Sequence, residues 1–101
     1  MSHGGFVAVL MVELHFPEAG SLKAKRKELS SIKAQLRTRL GVAVSETDHQ
    51  DLWQRASVAM AVVSGTEAQA RDVLDAVERF VWSFPEIEVV DAQLRWLEVE
   101  R

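Results

Sequence analysis

"GFVAVLMVELHF", residues 5–16, is apolar at both parities from Phe6 to Val12 and turns polar only at Glu13. A strand with one wet face alternates, so this run predicts a strand covered on both sides, at the centre of a sheet. A second such run, Val58 to Val63, lies within "LWQRASVAMAVVSG", 52–65, and predicts another central strand. Two further segments supply the flanks. "VAVSET", 42–47, is a short strand joined to the third through the polar turn "DHQD", 48–51. "EIEVVDAQLRWLEV", 86–99, sets Val90, Ala92, Leu94 and Trp96 on one parity against Asp91, Gln93 and Arg95, the pattern of a half-exposed strand.

Helical periodicity fills the gaps between strands. Leu22, Leu29, Ile32, Leu36 and Leu40 form one apolar stripe, with Ser21 as N-cap and Gly41 as the stop. Thr66 and Gln69 predict a capping box, Ala70, Val73, Leu74, Val77, Phe80, Val81 and Phe84 keep helical spacing, and Pro85 ends the segment. The order βαββαβ predicts a single α+β domain over 1–101 with the split-βαβ, ferredoxin-like arrangement. Its four-stranded antiparallel sheet has the order 4-1-3-2 and carries both helices on one face. The other face of the central strands is then apolar and uncovered, which predicts a homo-oligomer joined through the open sheet or a partner docked there. The alternative is a curved sheet whose far side is closed by the chain termini.

The 101 residues contain no cysteine, which excludes disulfides and thiolate metal sites and suits a cytoplasmic protein. The start MSHGG lacks the charged region and cleavage site of a signal peptide, and Phe6 to Val12 is too short to span a bilayer, so no membrane role is expected. The net charge of −3 is unevenly spread. Residues 21–40 hold seven of the twelve bases and a single acid, Glu28, so the first helix is strongly cationic on an acidic body.

Lys23, Lys25, Arg26, Lys27, Lys33 and Arg37 are therefore the candidates for binding an anion, structured RNA or a ribosomal particle. Lys25 falls inside the apolar stripe, and two readings of it stand. It packs its stem and keeps its ammonium in water or on a carboxylate such as Glu46, or it joins Arg26 near the helix N-terminus in holding a phosphate. Arg37 and Arg39 in the last turn also complement the negative helix end. Glu46, Asp51, Trp53, Gln54 and Arg55 crowd the hairpin, where Trp53 and Arg55 share a strand parity and suit stacking on a base or a partner. Their spacing matches no metal loop. No nucleophile elbow or glycine-rich phosphate loop is present and the three histidines lie in different segments, so neither enzyme activity nor a cofactor is expected. The central strands carry no mid-strand aromatics of the kind that stack bases on an RNA-recognition motif.

"SLKAKR" after a strand ending "ELHFPEAG", followed by "VAVSE" and "DLWQRASVAMAVVS", resembles the YlxP-like family of small bacterial proteins. The resemblance spans residues 6 to 99. The motif falls on Ser21, Leu22, Lys23, Lys25, Arg26, Glu46, Asp51, Trp53, Gln54, Arg55 and Ala56. It implies a ferredoxin-like fold and a family without an assigned function, whose members are often encoded beside transcription and translation factors. No catalytic role attaches to any of these positions.

Overall fold

The computed structural model describes residues 3–100, so the ends of the 1–101 span and the first residues of MSHGG lie outside it. Six elements follow one another: β1 (His3–His15), α1 (Leu22–Leu40), β2 (Ala43–Asp48), β3 (Arg55–Ser64), α2 (Glu67–Trp82) and β4 (Glu88–Glu100). The sheet runs β2-β3-β1-β4 with every pairing antiparallel, the 4-1-3-2 order read from its other edge. The fold is α+β and ferredoxin-like, and β1 and β3 are its central strands.

Period-2 alternation decides which face is dry. Ala8, Leu10, Val12 and Leu14 of β1, with Ala56, Val58, Met60 and Val62 of β3, are buried against Leu29, Ile32 and Leu36 of α1 and Leu74, Val77 and Val81 of α2 in one core. The opposite parity carries Val7, Val9, Met11, Ala59, Ala61 and Val63, and no helix covers it. Val63 is 75% exposed and Leu97, beside Val7 in β4, is 62% exposed.

Several element ends shift by one or two residues, and three larger differences from the sequence reading stand out. β3 begins at Arg55, because Leu52, Trp53 and Gln54 belong to the loop. α2 ends at Trp82, where Ser83 caps by returning its N–H to the carbonyl of Phe80. In β4 a register shift sets Leu14 opposite Val89 and Glu13 opposite Asp91, so Val90 bulges out, 56% exposed, instead of joining Leu94 and Trp96. The predicted capping box is half formed. Thr66 Oγ1 accepts from the Gln69 N–H at 3.1 Å, but the Gln69 side chain meets Ser64 Oγ at 3.0 Å, and Ser64 takes the Thr66 N–H.

Gly5 sits at φ 135°, at the register shift between His3 and Gly5, where a Cβ would lie 2.8 Å from the carbonyl oxygen of Ser64. Both the backbone conformation and the space demand glycine. Gly5→Ala is expected to lower stability by about 1–3 kcal/mol. Urea denaturation checks this, with an unchanged midpoint as the contrary result.

Candidate anion-binding face and its loop

α1 presents its cations in two environments. Lys25 is fully buried with Leu29, Ile32 and Leu36. Its Nζ donates to the carbonyls of His49 at 2.7 Å and Leu52 at 2.6 Å and lies 2.9 Å from Glu46 Oε2. Three partners match the three protons of the ammonium. Glu46 Oε2 is buried and makes no well-directed hydrogen bond, so it meets Lys25 as an ion pair. Of the two readings the internal one holds: Lys25 cannot also face an outside phosphate, and it leaves the candidate set.

The reason is geometric. Val44 and Glu46 share the parity of β2 that faces the helices, with Val42 buried just before it, which brings the Glu46 carboxylate beneath the first turns of α1. The chain then folds back. His49 adopts φ 63°, its N–H meets Asp48 Oδ1 at 2.7 Å, and its carbonyl accepts from the Leu52 N–H at 3.0 Å. This tight turn points two carbonyls at Lys25.

The other cations stay outside. Lys23, Arg26 and Lys27 are exposed and Lys33 is half-buried. Among the described residues none of the four has a carboxylate within 4.0 Å. Arg37 is partly committed, since its Nη2 donates to the carbonyl of Val44 at 2.8 Å and so guards the β2 edge. Lys27 also lines a groove with Ala24, Glu28, Ile32, Phe84 and Glu86. There, burial first and the charge of Glu86 second raise the Glu28 carboxyl above its ordinary value.

The hairpin residues separate. Glu46 faces inward to Lys25, whereas Asp51, Trp53 and Gln54 are exposed in the loop. Arg55 does not pair with Trp53 on a strand: its Nη2 lies 3.5 Å from Glu13 Oε1, which His49 Nε2 also approaches at 3.5 Å. The sequence marks Glu13 only as the polar end of the apolar run, although a lone acid on the outward parity of an apolar strand signals a cross-strand partner. His49 and Leu52 act through their carbonyls, which no residue type announces. At the end of β1, His15 Nδ1 lies 2.7 Å from Glu88 Oε1.

A shallow depression of about 370 Å³ opens on the uncovered sheet face, lined in part by Met11, Glu13, Asp48, Ser57, Asp91 and Gln93. Among the described residues no cluster of His, Asp and Glu is arranged to hold a metal ion. No helix among them is long and apolar enough to cross a membrane.

Comparison with known proteins adds a family. The family model described as "Protein of unknown function (DUF503)" matches residues 7–94. The "Uncharacterized protein YlxP" of Bacillus subtilis (strain 168) is 40% identical over 79 residues, covering 78% of this chain and 86% of that protein. A solved dimeric ferredoxin-like protein from an uncultured marine organism aligns over 96% of this chain and 89% of its own, with a TM-score of 0.49 and 13% identity.

Proposed function

The chain belongs to the DUF503 family, and we propose that it is a non-enzymatic binding module that meets the phosphates of structured RNA, free or in a ribosomal particle. One observation supports this above the others: on α1 the exposed Lys23, Arg26 and Lys27 and the half-buried Lys33 have no carboxylate partner among the described residues, although the chain as a whole carries more acids than bases. Cations left unneutralised on an acidic body draw a polyanion to one face.

The test is a salt titration of binding to ribosomal RNA. Four neutralised phosphates give a loss of roughly 10²-fold in affinity between about 50 and 200 mM salt. Binding that is flat in salt, or absent at low salt, sinks the reading.

The uncovered sheet face favours a second, compatible reading, in which two copies pack sheet against sheet. Val63, Leu97, Met11 and Val99 are exposed there. Four strands about 4.8 Å apart and ten residues long offer roughly 600 Å² per copy, so a pair buries about 1,200 Å², the lower bound of a specific interface. Arg95 and the acids Glu13 and Asp91 share this face, which lets each copy offer the other both signs of charge. Sedimentation equilibrium is expected to give twice the chain mass, and Val63→Glu with Leu97→Glu is expected to give the monomer. A wild-type chain that stays monomeric at every concentration refutes it.

A further inference from the structure

One level of the sheet carries a polar side chain on every strand. Asp48 of β2 pairs with Ser57 of β3, Ser57 with Glu13 of β1, and Glu13 with Asp91 of β4, so the four form a row across the uncovered face. All four line the depression there, and the Met11 and Gln93 pair lies beside them. Ser57 is the informative member. It is 8% exposed, its neighbours Ala56 and Val58 face the helices, and its hydroxyl has no hydrogen-bond partner among the described residues. A buried hydroxyl is ordinarily met by another polar group, and this one is turned to the depression. The carboxylates beside it are also weakly engaged. Asp48 and Asp91 have no cation within 4.0 Å among the described residues; Asp48 accepts the His49 N–H, and Asp91 the Gln93 amide at 3.4 Å. The cations facing Glu13, Arg55 and His49, both stay 3.5 Å from its Oε1, whereas a charge-assisted bond closes to about 2.7–2.9 Å.

We propose that this depression binds the primary ammonium group of a small amine, seated over Ser57 between Asp48 and Glu13. Residues directly opposite on neighbouring strands stand about 5 Å apart, which sets one carboxylate on each side of a cation above the serine. An ammonium donates three hydrogen bonds, and the Ser57 hydroxyl with the two carboxylates supplies three acceptors. Asp91 and Gln93 continue the row toward the β4 edge and offer partners to a second polar group of the ligand, while Met11 gives the carbon chain between them an apolar wall. The volume of about 370 Å³ is that of a small-molecule site. A divalent metal fits less well, since no three acids or histidines converge among the described residues. The inference goes beyond the RNA reading and does not rest on it: the site lies on the sheet face turned away from the cations of α1 and selects the opposite charge.

The experiment titrates the full chain with putrescine, and with butanediol as a neutral probe of the same length, following the backbone amide chemical shifts. Putrescine is expected to give saturable shifts confined to the row, and butanediol none. Ser57→Ala and Glu13→Gln are each expected to bind putrescine roughly tenfold more weakly, the worth of a hydrogen bond or contact to a charged group. Asp75→Asn, exposed on α2, is expected to bind as wild type does. Ser57→Ala should also melt at or above the wild-type temperature, because it removes a hydroxyl with no internal partner. Unchanged affinity in Ser57→Ala, equal shifts with butanediol, or a Ser57→Ala chain that melts below wild type overturns the proposal. Putrescine binding by the variant carrying Val63→Glu and Leu97→Glu but not by wild type assigns the depression to contact between two copies and likewise overturns it.

Discussion

Lys25→Met is expected to destabilise the protein by about 3–5 kcal/mol, the cost of removing one partner from a buried ion pair. A domain of this size has only about 5–15 kcal/mol in total, so the variant loses a large share of its stability. Methionine fills the volume of the lysine stem, which leaves the polar loss as the cause. The Glu46 carboxylate and the carbonyls of His49 and Leu52 all stay behind without the ammonium. Adding Glu46→Gln is expected to recover part of the loss, because the unpaired charge goes while the carbonyls remain unmet. Urea denaturation of the two single variants and the double variant gives the coupling directly. A loss below about 1 kcal/mol for Lys25→Met would show that water replaces the ammonium and that the loop does not depend on it.

Lys23→Glu, Arg26→Glu and Lys27→Glu together are expected to abolish the salt-dependent affinity for RNA while the fold persists. Each lost phosphate contact lowers the salt slope by about 1, so three reversals nearly flatten it and affinity at low salt falls at least 10²-fold. Stability is not the confounder here. The three side chains are exposed, and α1 has no acidic residue in its first turn, where glutamates favour the helix dipole. The triple variant should therefore melt at or above the wild-type temperature. Retained affinity with a retained slope would move the site off α1.

Much of the architecture was legible because strands and helices are written in local periodicities. Two-sided apolarity in Phe6 to Val12 and Val58 to Val63 placed both runs at the sheet centre, and the observed order agrees. The bulge at Val90 was not legible, since alternation continues through it and only the pairing with Leu14 reveals the flipped parity. The start of β3 was also hidden. Leu52 and Trp53 look like strand residues, but the left-handed turn at His49 and the grip of Lys25 hold them in the loop.

The candidate site divides in the same way. That α1 is cationic follows from counting its residues, and its helical spacing already put Lys25 among the leucines. What only the tertiary structure decided is which charge is spent inside and which ring is left outside. Lys25 meets partners more than twenty residues away, two of them backbone carbonyls with no signature in the sequence, and the loop that those contacts hold leaves Trp53 exposed. Periodicity is a property of neighbours along the chain, whereas burial and pairing depend on groups that meet only after the chain has folded back on itself.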